Sequence, residues 1–201
     1  MNFIKRIFAK RKTDAPSIKI KNIAAIVIAN THGFAKSEEN ILQKIEHEPY
    51  DTCFILGDCE ENDIQCIIKY INAEKTYWVY GNHDSGTLYE KYGIININGK
   101  VITIKGKTFA GWEGSIKYKP SAIGMTQEES LAFADTLPDA DYLILHDGLF
   151  DEKCGNLVHQ GLRGITKYQK RTGCYILRGH IHSRYENEHE RCFYGIEKCT
   201  L

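Results

Sequence analysis

Five of the chain's eight histidines stand in short motifs beside Gly, Asn or Asp: His32, His83, His146, His180 and His182. Each motif follows an apolar run. "IVIAN" leads into Thr31-His32-Gly33, "CFILG" into Asp58 and "YWVYG" into Asn82-His83-Asp84. "YLILH" ends on His146 before Asp147, and "YILRG" leads into His180-Ile181-His182. Imidazole and carboxylate together suit first-row divalent ions such as zinc, iron or manganese. Singly the pieces are weak. Gly-Asp after a strand is often only a turn, and His180 and His182 share one face of any strand by alternation. Five such endings in one chain point to a metal site. His47, His159 and His189 lack that context.

For the motifs to meet, the apolar runs must be neighbouring strands. Residues 23–29 are continuous Ile, Ala and Val and read as a buried strand. A helix is expected over 36–47, with Ser37 as cap before Glu38 and Glu39. Residues 51–58 form a second strand, and 62–73 a helix with Ile64, Ile67, Ile68 and Ile71 on one face. Residues 76–84 form a third strand. This βαβαβ order predicts a layered α/β architecture with parallel strands. In such sheets the loops beyond the strands' carboxyl ends gather on one edge and build the site. Residues 93–114 carry Asn-Gly and Lys-Gly turn signals and read as hairpins or a meander. A helix near 126–136 is entered from Thr126, with Glu129 at capping-box spacing. Residues 141–148 read as a further buried strand, 160–171 as a helix, 174–182 as a strand, and 185–199 as two short strands. No repeat or linker interrupts the chain, so 21–201 is expected to be one domain behind a basic tail or helix at 1–20.

The ordered motifs resemble those of the calcineurin-like metallophosphoesterases, whose pattern is Asp-x-His, Gly-Asp, Gly-Asn-His-Asp/Glu, a lone His and Gly-His-x-His. Here the matching residues are Asn30-Thr31-His32, Gly57-Asp58, Gly81-Asn82-His83-Asp84, His146 and Gly179-His180-Ile181-His182, spanning 30–182. The resemblance implies a four-layer α/β sandwich, with two mixed β-sheets face to face and helices outside. It also implies two divalent cations, manganese favoured over iron or zinc. The first would be held by Asn30, His32, Asp58 and His182, the second by Asp58, Asn82, His146 and His180, with Asp58 bridging. A phosphate mono- or diester would be hydrolysed by attack of metal-bound hydroxide. His83 would help the leaving oxygen depart, with Asp84 orienting it.

"GSIKYKP" (114–120) and "VHQGL" (158–162) narrow the resemblance to small bacterial and phage-type members. Lys117, Tyr118 and Lys119 read either as binding a second phosphate or a base, or as an exposed loop. His159 reads either as approaching the site or as exposed. Trp112 reads as core packing before base stacking. The family's first position is normally Asp, and here it is Asn30. An amide oxygen ligates without charge, so the first cation is expected to bind more weakly. Three accounts compete: a working enzyme with a loosely held first metal, a phosphate-ligand binder that has lost catalysis, or a deliberate Asp→Asn change that traps substrate. A metal-dependent nuclease is a further alternative.

Bulk composition limits the partners. Lys+Arg and Asp+Glu balance at 26 each over 201 residues, which argues against long nucleic acid as the main ligand. A phosphate ester, such as a nucleotide, suits better. Seven cysteines without C-x-x-C spacing suit reduced thiols and a cytoplasmic setting. No apolar run reaches membrane-spanning length. The N-terminal "MNFIKRIFAKRK" is too briefly apolar for a signal peptide and reads as a solvated or docked basic segment before a membrane-surface helix.

Overall fold

Strand β1 (Ala24–Ala29) shows why its sequence reads as an unbroken apolar run: both its faces are buried. Ala25, Val27 and Ala29 pack between two sheets with Phe109, Ile144 and Leu177. Ile26 and Ile28 face the other way, onto Ile64 and Ile67 of helix α1 (Glu61–Tyr70). Alternation is present but invisible in hydropathy, because the helix side and the sheet side are equally dry. The computed structural model describes residues 22–33, 45, 49–85 and 89–201. The basic segment at 1–12 and, Ile45 excepted, the helix expected over 36–47 lie outside the described residues.

The first sheet has the order β13-β1-β2-β3-β4, with β2 (Thr52–Ile55), β3 (Thr76–Trp78), β4 (Ile95–Asn96) and β13 (Gly195–Thr200). Strands β1 to β4 run parallel, and β13 lies antiparallel on β1. The second sheet has the order β11-β12-β10-β9-β6-β5. Its parallel centre is β6 (Lys107–Trp112), β9 (Tyr142–Leu145), β10 (Tyr175–Arg178) and β12 (Glu190–Cys192). Its edges, β5 (Val101–Ile104) and β11 (Tyr185–Glu186), are antiparallel. A small parallel pair, β7 (Ser115–Ile116) and β8 (Gly124–Met125), stands apart. Helices α2 (Gln127–Thr136) and α3 (Arg163–Thr172) cover the outer face of the second sheet, where Trp112, Leu143 and Ile176 meet Ala134, Ile165 and Tyr168. The result is the expected α/β arrangement of two mixed sheets with helices outside.

Three local expectations are refined. The stretch 93–114 is not one meander: β4 joins the first sheet, while β5 and β6 form a hairpin in the second. The Asn98-Gly99 turn carries the chain between sheets, and the Lys105-Gly106 turn closes the hairpin with φ of 49° and 89°. Helix α3 starts at Arg163 because Leu157–His159 forms a separate 3-10 turn and Gly161, at φ 76°, breaks the path between them. The tail forms three strands rather than two. The capping box at α2 is present, with Glu129 N–H donating to Thr126 Oγ1 and Thr126 N–H to Glu129 Oε2.

Candidate metal centre

The carboxyl ends of β1, β2, β3, β9 and β10 open onto one edge of the sandwich, and the loops there are tied to one another. The Asp84 carboxylate accepts from three backbone N–H groups, those of Asp58, Cys59 and Gly81. It therefore clamps the loop after β2 to the loop after β3, and burial raises its pKa. The loops touch so closely that a Cβ on Gly81 would lie 2.1 Å from Asp58 Oδ1. Asp63 does similar work for the first loop. Its Oδ2 accepts from the Thr31 hydroxyl, the Gly33 N–H and the Glu60 N–H, joining the end of β1 to the start of α1. Among the described residues six non-glycine positions have positive φ, and five are Asn30, His32, Asp58, His180 and His182 (42° to 73°). Each such residue costs about 1 kcal/mol or more, and they gather at the strand ends that carry imidazole, amide and carboxylate.

Half of this edge is buried. His146 Nε2 lies 3.3 Å from Asp58 Oδ2, 3.0 Å from Asn82 Oδ1 and 3.2 Å from His180 Nδ1. The outer nitrogens of both rings are held by backbone carbonyls: His146 Nδ1 donates to Leu56 O at 2.6 Å, and His180 Nε2 to Val158 O at 2.8 Å. Those bonds fix the tautomers and turn His146 Nε2 and His180 Nδ1 inward, as metal-binding histidines require. Burial and the neighbouring His146 push His180 down to about 3, so its ring is neutral and free to ligate. Burial alone would raise the Asp58 pKa, but His146, its hydrogen bond and the His83 N–H outweigh burial and hold Asp58 below the usual carboxylate range. Burial likewise lowers His146 while Asp58 raises it, with a net rise. The donor atoms of Asp58, His146 and His180 all lie within 4.8 Å of one another, so the residues present fit a divalent cation.

The other half is open. His32 Nε2 and His182 Nε2 stand 3.1 Å apart, and His32 Nε2 is 3.8 Å from Asp58 Oδ2. The exposed His83 ring lies 5.8 Å from that of His32, while its backbone N–H donates to Asp58 Oδ1 at 2.9 Å. Asn30 is fully buried: its Oδ1 accepts from the His180 N–H at 3.1 Å, and its Nδ2 has no partner among the described residues. His159 is exposed and also approaches the site, its ring 4.9 Å from His180. Lys117 is exposed, and Trp112 is core, edge-on to Phe133. Tyr118 touches the centre through its hydroxyl, which accepts from Asn82 Nδ2 at 3.1 Å. A depression of about 460 Å³ lies at the opposite end, where β9 and β10 begin, but its Lys105 and Lys107 are engaged by Asp51 and Tyr142. Sequence reasoning did not single out Asp63, Leu56 O or Val158 O. An acidic residue in a helix's first turn is a faint signal for Asp63, and backbone carbonyls carry none.

Solved structures similar to this chain share little sequence with it. TT1561 of Thermus thermophilus superposes with a TM-score of 0.56 at 13% identity, over 87% of this chain and 89% of that one. AQ665 from Aquifex aeolicus, a protein of unknown function, gives 0.47 at 16% identity over 87% and 95%. A conserved uncharacterised protein of Streptococcus pneumoniae, described as a predicted phosphoesterase, gives 0.40 at 15% identity over 86% and 71%. No curated protein matches the chain. The family model of the calcineurin-like phosphoesterase superfamily domain matches residues 23–195. Spanning almost all of both sheets and every strand-end motif, that match places the chain in the calcineurin-like phosphoesterase superfamily.

Proposed function

We propose that the chain hydrolyses phosphate mono- or diesters with divalent cations held at the strand ends, manganese favoured among manganese, iron and zinc. One observation carries the reading: two buried imidazoles, locked from behind by backbone carbonyls, turn their inner nitrogens toward each other beside a buried carboxylate and an amide oxygen. We assign Asp58, Asn82, His146 and His180 to one cation, and Asn30, His32, Asp58 and His182 to the other. Bound there, the cations would supply an acidified water and charge to match the phosphate. The protein supplies the remainder. Asp84 holds the loops that place Asp58 and His83, and the exposed His83 ring donates a proton to the leaving oxygen. Lys117 and His159, at the rim, are assigned to the substrate's remaining groups. With added Mn²⁺ the purified protein is expected to turn over p-nitrophenyl phosphate or its bis ester. A chelator should abolish the activity and Mn²⁺ restore it. Bound metal without turnover of either ester overturns the proposal.

His83→Ala separates proton donation from general damage. p-Nitrophenolate leaves without a proton, so its ester should lose less than about tenfold, whereas an alkyl phosphate should lose about a hundredfold or more. Equal losses on both substrates would remove His83 from the acid role. A second reading, a phosphate-ligand binder with weakened catalysis, is favoured by Asn30, whose Nδ2 is buried without a partner among the described residues.

A further inference from the structure

We propose that Tyr118 contacts the substrate: its hydroxyl accepts from Asn82 and donates its own proton to a non-bridging oxygen of the bound phosphate. The inference rests on the phosphoesterase reading above. Asn82 has an acceptor end and a donor end, and the two have different partners. Oδ1 lies 3.0 Å from His146 Nε2, while Nδ2 donates to the Tyr118 oxygen at 3.1 Å. The phenol thus fixes which way the amide points, keeping the carbonyl on the side of the inward-facing imidazoles. A phenol has a single proton. With its oxygen accepting from Asn82, that proton points elsewhere, and it meets no acceptor among the described residues. A half-buried O–H without an acceptor among the described residues, one hydrogen bond from a residue of the donor set, is placed to meet an anion there.

The segment carrying Tyr118 is anchored to the centre. Ile116 N–H donates to Asp147 Oδ2 at 3.0 Å, and Asp147 directly follows His146. Lys117 N–H donates to Met125 O at 2.9 Å across the β7–β8 pair, and Ala122 N–H to Lys119 O at 3.2 Å closes the loop beyond. Ser115 and Ile116 are buried. Lys119 Nζ lies 5.3 Å from the Tyr118 ring centroid, within reach of a cation–π contact. The segment that reads in sequence either as a phosphate or base contact or as an exposed loop is a tethered arm that brings a phenol to the centre.

Tyr118→Phe tests this, because it keeps the ring and its Lys119 contact and removes only the oxygen. Three quantities are read: Mn²⁺ affinity and stoichiometry by calorimetry, the inhibition constant of inorganic phosphate at saturating Mn²⁺, and KM against kcat for p-nitrophenyl phosphate. The phosphate inhibition constant is expected to rise about tenfold, the loss of one hydrogen bond to a charged oxygen. KM should rise with it, and Mn²⁺ stoichiometry should not change. An unchanged inhibition constant overturns the proposal. So does a variant whose only defect is weaker Mn²⁺ binding, with phosphate affinity restored once Mn²⁺ saturates, since Tyr118 would then only hold Asn82. Wild-type protein that binds neither Mn²⁺ nor phosphate overturns the phosphoesterase reading and this inference together. Wild-type binding of both leaves the variant's result to decide Tyr118 alone.

Discussion

Asp58→Asn is expected to lower Mn²⁺-dependent phosphoesterase activity roughly a thousandfold, the several kcal/mol that a cation contributes at a charged transition state. Asp58 is the only carboxylate in the proposed donor set, since Asn30 and Asn82 are neutral and the remainder are imidazoles. Its two oxygens have different duties. Oδ1 accepts from the His83 N–H at 2.9 Å, and Oδ2 faces His146 at 3.3 Å and His32 at 3.8 Å. Asparagine keeps the shape and can still accept from His83, but it turns an NH₂ group toward the cation side. The fold should survive. His146 and the His83 N–H favour the charged carboxylate in the fold, so in the presence of chelator at neutral pH the variant should melt somewhat below wild type. Adding Mn²⁺ should raise the melting temperature of wild type, by preferential binding to the folded state, and leave the variant's almost unmoved. Thermal scans with and without metal, beside the activity assay, check both halves. A variant within about tenfold of wild-type activity would show that Asp58 does not hold a catalytic cation.

The residues that make this prediction possible were visible in sequence because ligand chemistry needs particular side chains at strand ends, and α/β topology brings strand ends together. His146, His180 and Asp58 are far apart in sequence, yet their preceding apolar runs identified them as neighbours. The layered architecture was legible for the same reason. What stayed hidden has physical causes too. β4 and β5 are adjacent in sequence and similar in composition, and only packing separates them between two sheets. Leu56 and Val158 act through carbonyl oxygens that every residue has. Asn30, His32, Asp58, His180 and His182 are of the types that enter the positive-φ region more readily than most, but such values stay uncommon even for them, and only the packed loops decide which Asn, Asp or His adopts one. The delayed start of α3 depended on Gly161 ending a separate turn, which periodicity does not resolve. Tyr118 shows the limit most plainly. Lys117, Tyr118 and Lys119 read in sequence as binding a second phosphate or a base or as an exposed loop, and which of the three reaches Asn82 is decided only by packing, which brings the phenol there.

Asn30→Asp is expected to tighten binding of the first cation roughly ten- to hundredfold and to move Mn²⁺ stoichiometry toward two per chain, as read by calorimetry or metal analysis after desalting. Position 30 has two tasks and the amide can perform one. Oδ1 accepts from the His180 N–H at 3.1 Å, which holds the Gly179-His180 turn against β1, and Nδ2 is left buried with no acceptor among the described residues. Flipping the amide would face Nδ2 to the His180 N–H, donor against donor. A carboxylate has acceptors on both sides, so it can keep the His180 bond and still present an oxygen to a cation shared with His32 and His182, whose Nε2 atoms already stand 3.1 Å apart. Charge acts in the same direction: a full negative charge near a divalent ion contributes on the order of a few kcal/mol at the effective dielectric of a partly exposed site. The metal-free variant should be less stable than wild type at neutral pH, because the new buried carboxylate lies near Asp58 with no cation between them. Stability gained on adding Mn²⁺ should therefore be larger in the variant than in wild type. Equal Mn²⁺ stoichiometry and affinity in the two proteins would mean that Asn30 is not a cation ligand. Tighter metal binding with a large gain in turnover would instead identify Asn30 as the feature that holds an otherwise complete phosphoesterase centre below its capacity.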